Sequence, residues 1–177
     1  MSTYTCRAYY KDDRDPFSYV NSSFLEPSRP ILFTFLKELP ISSQIPGLIK
    51  LLNSPHKLED SVLQLYKFGN ASNEFGTYLD IDSSLNDQWD DIECFTDPDN
   101  HAVVLRTKLV VRVNAIVEKL QTSSGRELRR ALFSLKQIFQ EDKDLVHEFV
   151  THSGISCLVR VGSQADQNHQ NYILREI

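Results

Sequence analysis

Glycine is scarce, six in 177 residues. No Gly-x-x-x-x-Gly-Lys, Gly-x-Gly-x-x-Gly or Gly-x-Ser-x-Gly occurs, so the chain has no sequence for a phosphate-cradling loop or a nucleophile elbow. His-Glu-x-x-His is also missing, and the three cysteines (Cys6, Cys94, Cys157) are too few and too far apart for a disulfide framework or a zinc cluster. A reduced, intracellular compartment is expected. No stretch approaches a membrane-spanning length of apolar residues, Met1-Ser2-Thr3-Tyr4 does not begin a signal peptide, and Ser2 is not a myristoylation glycine. No membrane span or lipid anchor is expected, and the sequons at Asn21 and Asn70 should be idle. Excess positive charge is absent too: 19 Lys plus Arg against 24 Asp plus Glu leave a formal charge of -5. That is the wrong sign for a surface that grips nucleic acid. With 41% hydrophobic and 24% charged residues, the chain should instead bury a globular core.

What charge there is falls unevenly. Phe68 to Leu105 holds nine acidic residues and no Lys or Arg, whereas Arg106 to Lys136 is net +6, which places a domain boundary near 107. Before it the patterns are β-like. Thr3 to Tyr10 alternates and reads as a strand; Lys11 to Pro30 reads as a long loop, and Ile31 to Leu36 as a second strand. Ser43 can cap a short helix through Leu52 with Pro46 in its first turn. Val62 to Phe68 and Tyr78 to Ile81 read as two strands around a Gly69 to Gly76 connection, followed by a helical turn near Leu85 to Ile92 and a last strand at His101 to Thr107. This element order is that of a ubiquitin-like β-grasp roll.

After 107 the period becomes helical, with Leu109, Val113, Ile116, Val117 and Leu120 on one stripe. Ser124-Gly125-Arg126-Glu127 reads as a capping box, launching a face of Leu128, Leu132, Leu135, Ile138 and Phe139. A third helix carries Leu145, Val146, Phe149 and Val150 and should end with Gly154 as a left-handed cap. A fourth covers Ile155 to Val161, and a fifth runs from about Gln167 to the terminus. Gly-Ile-x-x-Leu-Val at 154–159 and Tyr172-Ile173-Leu174 look like one armadillo-type repeat. Repeats need neighbours, so the chain reads as a fragment, a truncated isoform or an incomplete gene model. The fold class expected is α+β: a roll over 1–107, then incomplete armadillo helices over 108–177.

Reactive constellations are weak. Cys157 with His147 or His152 would make a thiol–imidazole pair, but Cys157 sits on an apolar helix face and reads better as structural. His56, His101 and His169 share no metal spacing. Ser54-Pro55-His56-Lys57 matches Ser-x-x-K by chance, without its companion motifs. The carboxylates of 74–99 lack calcium-loop spacing and read as a solvated face. No catalytic residue, metal or cofactor is assigned. Arg126, Arg129 and Arg130 cluster around the first turn of a helix, where they oppose its dipole. They are candidates for an anionic partner, though most of such a run is ordinarily a helix's wet face.

The run Ser123-Ser124-Gly125-Arg126-Glu127-Leu128-Arg129-Arg130-Ala131-Leu132-Phe133-Ser134-Leu135-Lys136-Gln137-Ile138-Phe139-Gln140-Glu141-Asp142-Lys143-Asp144-Leu145-Val146 resembles the N-terminal region of FHOD-type formins. The resemblance extends through Leu105-Arg106-Thr107, Val111-Arg112-Val113-Asn114-Ala115, Pro55-His56-Lys57-Leu58-Glu59-Asp60, Asp15-Pro16-Phe17, Asp166-Gln167-Asn168 and Tyr172-Ile173-Leu174-Arg175, and is weakest over 87–100. It implies a ubiquitin-like GTPase-binding domain followed by an armadillo-repeat regulatory domain. The actin-nucleating and profilin-binding regions and the C-terminal autoregulatory segment of such proteins lie downstream.

The implied function is a non-catalytic regulatory and targeting module for actin assembly. It would take input from a Rho-family, Rac-like GTPase, share in autoinhibition and be placed in the cytoplasm on stress fibres or sarcomeres. Contact with actin would be indirect, and grip on the autoregulatory segment weak or lost with only a first repeat present. A GTPase would extend the sheet at Ile31 to Leu36, using Arg29, Ile31, Phe33, Phe35 and Lys37. The competing reading is a structural adaptor for a helical or spectrin-like partner, without GTPase contact.

Overall fold

The computed structural model describes residues 2–18, 31–68, 74–93 and 100–164. Its contacts divide the chain into two units, residues 1–12 with 21–107 and residues 13–20 with 108–177. The whole is of mixed α+β class.

The first unit comprises β1 (Thr3–Tyr10), β2 (Leu32–Leu36), α1 (Ile45–Leu52), β3 (Ser61–Lys67), β4 (Glu74–Tyr78), α2 (Trp89–Ile92) and β5 (His101–Thr107). The strands form one sheet in the order β2-β1-β5-β3-β4. β1 runs antiparallel to β2 and parallel to β5, and β3 runs antiparallel to β5 and β4. All seven residues of β5 are buried, as a strand with Val-Val-Leu at its centre and neighbours on both edges requires. Val103 and Leu105 face a core with Cys6, Ala8, Leu63 and Leu65, against which α1 lays Ile45, Leu48 and Leu52. Each fully buried leucine there contributes about 1.5–3 kcal/mol. On the opposite face Ala102 and Val104 join Tyr9 and Tyr66. Arg106 is buried beside them, and its Nη1 donates to Gln64 Oε1 at 2.7 Å.

Three local expectations are corrected here. The fourth strand lies at Glu74–Tyr78, earlier than Tyr78 to Ile81. Gly76 marks an irregularity rather than a connection: the β3–β4 register shifts between Gln64 and Tyr66, and Gln64 Nε2 donates to the Gly76 carbonyl at 2.9 Å. Gln44, not Ser43, stands at the N-cap of α1, because the Ser43 hydroxyl turns back to the Pro40 carbonyl at 2.7 Å. A reciprocal cap does form, but at Ser84 and Asp87, where the Asp87 N–H donates to Ser84 Oγ and the Ser84 N–H to Asp87 Oδ2, before the turn leading into α2.

The second unit contains α3 (Leu109–Thr122), α4 (Gly125–Glu141), α5 (Lys143–Thr151) and α6 (Gly154–Gln164). Val113, Ile116, Leu120, Leu128, Leu132, Leu135, Leu145, Phe149, Cys157 and Leu158 form its core. The capping box expected at Ser124 is not made. Ser124 sits at the N-cap without a side-chain bond, Gly125 takes φ +57°, and the Glu127 carboxylate goes to Lys119 Nζ at 2.7 Å on α3. The left-handed residue before α6 is Ser153, at φ 67°. Gly154 opens the helix because a Cβ there would collide with the Phe149 ring and carbonyl oxygen. The fifth helix expected from Gln167 lies outside the described residues.

Residues 13–18, read from sequence as loop within the first domain, pack with the helices. Phe17 rests on the helical core, and Asp15 Oδ1 accepts the Phe17 N–H at 3.0 Å. Asp13 lies 3.7 Å from Arg112 Nε, whose Nη2 donates to Asp142 Oδ2 at 2.7 Å. The other oxygen of Asp142 caps α5 by accepting the Leu145 N–H. These charges are 5%, 7% and 12% exposed, so the cation carries two carboxylates that water no longer solvates. Arg112→Ala should therefore cost about 3 kcal/mol or more, read as a fall in the thermal midpoint of the helical signal. Lys119→Ala, which breaks only a solvated pair, should leave that midpoint in place.

Candidate functional site

Antiparallel pairing turns alternate residues of β2 toward β1. The Ile31 carbonyl accepts the Ala8 N–H at 2.9 Å, and the Lys37 N–H donates to Ser2 O at 3.0 Å. Ile31, Phe33, Phe35 and Lys37 thus direct their backbone groups inward, and Leu32, Thr34 and Leu36 direct theirs to the sheet's outer edge. Gln44 closes the last of these: its Oε1 accepts the Leu36 N–H at 2.8 Å and its Nε2 donates to the Leu36 carbonyl at 3.0 Å. The side-chain amide stands in for a neighbouring strand. Among the described residues, what remains of the outward ladder is Leu32 and Thr34. Leu32 is 59% exposed, and Thr34 Oγ1 lies 2.7 Å from Thr5 Oγ1 on the open face.

The residues expected to meet a partner at this edge are placed unevenly. Phe35 is 1% exposed and belongs to the core. Phe33 is half-buried and meets Phe35 edge-on at 4.7 Å, and Ile31 is likewise packed against the core. Lys37 Nζ stands 3.8 Å from the Trp89 ring centroid, and Trp89 meets Tyr4 edge-on at 5.5 Å. That cation is engaged within the fold. Arg29 lies outside the described residues. Beyond Lys37, Glu38 Oε1 accepts the Ser2 hydroxyl and N–H at 2.6 and 3.0 Å, and these bonds, the hydroxyl's first, hold its carboxyl below the ordinary value. Arg126, Arg129 and Arg130 are exposed on α4.

The reactive candidates are not assembled into a site. Cys157 is buried in the helical core, and desolvation, partly offset by Arg160, raises its thiol pKa. His147 and His152 are exposed, and His152 Nε2 pairs with Glu148 at 2.6 Å. Ser54 Oγ, 2.5 Å from His56 Nδ1, also accepts the His56 N–H, which is a local turn closing on itself. Asp80 is likewise spent on a turn, accepting from the Asp82 N–H and the Ser83 hydroxyl. Among the described residues no three His, Cys, Asp or Glu side chains gather as metal ligands.

Residues 5–98, which hold the edge and the Trp89 contact, match the sequence profile described as the formin N-terminal GBD. The chain belongs to this formin family. Its similarity to FHOD-type formins runs along the whole chain: it is 53% identical to human FH1/FH2 domain-containing protein 3, 52% to the mouse protein 3 and 49% to human FH1/FH2 domain-containing protein 1, each alignment covering 100% of this chain. The chain spans only 12%, 11% and 15% of those proteins respectively. The formin GBD is a regulatory domain family rather than a catalytic one.

Sequence reasoning missed Gln44 and Trp89. Neither has a periodic signal, since Gln44 acts across a turn on a residue eight positions away and Trp89 lies inside the acidic stretch. Gln44→Ala should leave the sheet intact but unmask Leu36, costing about 1 kcal/mol; amide exchange at Leu36 should accelerate while Phe35, bonded inward, stays protected. Burial also pushes the Cys6 thiol up to about 12 from an ordinary 9.0. Because the folded value is the higher, the thiol's contribution to stability is full below pH 9 and is lost as pH rises toward 12. Iodoacetamide at pH 8 should label Cys6 only after unfolding, as peptide mass spectrometry would record.

Proposed function

We propose that this formin segment is a non-catalytic regulatory and targeting module. In this reading 1–107 is a ubiquitin-like GTPase-binding domain and 108–177 opens an armadillo-repeat regulatory domain. The segment takes Rho-family, Rac-like GTPase input, shares in autoinhibition and places an actin-assembling protein on stress fibres or sarcomeres in the cytoplasm. The order β2-β1-β5-β3-β4 with β1 parallel to β5 supports the β-grasp reading, and the succession of packed short helices supports the armadillo one. The match to a formin GBD supports GTPase binding in general.

The observation that carries the mechanism is the short outward ladder at Leu32 and Thr34. A GTPase strand would add there by backbone hydrogen bonds, with the Leu32 side chain as its apolar contact. Since Gln44 occupies Leu36, this window is narrower than the whole of Ile31 to Leu36, and Phe35 and Lys37 support the strand from within the fold. Reversal of Lys37 would disturb the Trp89 contact as well as any partner, so the cleaner probe is the backbone. Thr34→Pro removes an outward N–H and spares the β1 ladder, a position where a strand tolerates proline. Calorimetric titration with Rac and Rho, each loaded with GTP or GDP, should show GTP-dependent binding to the wild-type chain. The variant should bind about tenfold or more weakly, with its thermal midpoint nearly unchanged. Equal binding by both chains removes the edge mechanism, and no nucleotide-dependent binding by the wild type removes the GTPase reading in favour of a structural adaptor.

A further inference from the structure

α4 carries a second surface that the sheet edge does not use. Arg126, Arg129, Arg130, Phe133 and Lys136 recur at i, i+3, i+4, i+7 and i+10, which aligns them along one side of the helix over about 15 Å. All five are exposed, Phe133 by 53%, while Leu128, Ala131, Leu132 and Leu135 fill the core from the other side. None of the four cations has an ion pair or hydrogen bond among the described residues. The nearest carboxylate on the same helix, Glu127, is drawn to Lys119 instead. Like charges at these spacings repel one another, and Arg126 stands in the first turn, at the positive end of the helix dipole. An exposed phenylalanine amid unneutralised arginines is the composition of a partner-binding surface rather than of a solvated helix face.

We propose that this face of α4 docks an acidic peptide segment of a protein partner, with an apolar side chain of that segment seated on Phe133 and its carboxylates on the arginines. Charge complementarity selects the class of partner. The chain as a whole is net -5, while the stripe on α4 is made of four cations and one phenylalanine. An extended polyanion, such as a membrane sheet or a nucleic acid, is disfavoured by that net negative charge. A short peptide matches the stripe itself, whose length of about 15 Å spans only a few residues of an extended chain. Arginine also suits carboxylates by its two-pronged geometry.

The test is fluorescence anisotropy of the full chain with a short labelled peptide of glutamates carrying leucines at i, i+4 spacing. The peptide should bind, and binding should weaken with added salt. Arg129→Glu with Arg130→Glu should cost about tenfold or more, and Phe133→Ser several-fold, with thermal midpoints preserved because these side chains are exposed. The control, Lys143→Glu with Arg160→Glu, changes charge equally on α5 and α6 and should bind as the wild type does. Failure of the peptide to bind, or an equal loss in the control, overturns the proposal. So does co-sedimentation with phosphatidylserine vesicles that the α4 reversals abolish, or concentration-dependent dimerisation that they abolish, since each names a different occupant.

Discussion

The burial of β5 on both faces is the constraint from which the first unit follows. Seven consecutive residues without solvent need a strand on each side and apolar cover above and below. β1 and β3 supply the sides, and the alternation Ala102, Val103, Val104, Leu105 supplies contacts to both faces in turn. With β5 in the middle, β2 can pair only outside β1 and β4 only outside β3, so these become the edges. The position of the β2 edge is therefore a consequence of which strand was apolar enough to occupy the centre.

An edge strand is a hazard as well as an opportunity, because its unpaired backbone invites any other strand. This fold manages it with glutamine. Gln44 takes both backbone groups of Leu36, and Gln88 does the same for Asp80, accepting the Asp80 N–H at 3.0 Å and donating to its carbonyl at 2.9 Å. Inside the sheet, Gln64 on β3 takes the Gly76 carbonyl and the Arg106 guanidinium. A primary amide offers one acceptor and a paired donor in one plane, the same complement that a strand residue presents. Among the described residues the outward ladder of β2 is thereby shortened to Leu32 and Thr34.

The helical unit solves a different problem, how to fix the angle between short helices that have little core each. Asp142 is the common element: it ends α4, caps α5 and accepts from Arg112 on α3. Asp13 brings residues 13–18 to the same cation. A buried ion pair adds little net stability when complete, yet losing one member is costly. Such a cluster therefore specifies geometry more than it adds to the total free energy. It leaves the basic side of α4 out of the pairing, which is why that helix can be held firmly at one end and still present unneutralised arginines.

Periodicity and charge in the sequence alone determined the element types: the alternating strand at Thr3 to Tyr10, the continuous apolar strand at His101 to Thr107, the i, i+4, i+7 stripes of the helices and the contrast in charge around residue 107. These are local properties, set by which side chains share a face. Resemblance to formins was legible for the same reason, since it rests on runs of adjacent residues. Tertiary structure decided what depends on partners distant in the chain or on competition between them. Glu127 fits a capping box by spacing, but Lys119 offers it a full charge. Gly154 fits a left-handed cap by type, but the nearness of Phe149 requires the missing Cβ while Ser153 takes the positive φ. Phe35 and Lys37 read as contact residues on a strand, but the core took the ring and Trp89 took the ammonium. In each case the sequence named a residue able to do two things, and the fold chose the one whose partner it brought near.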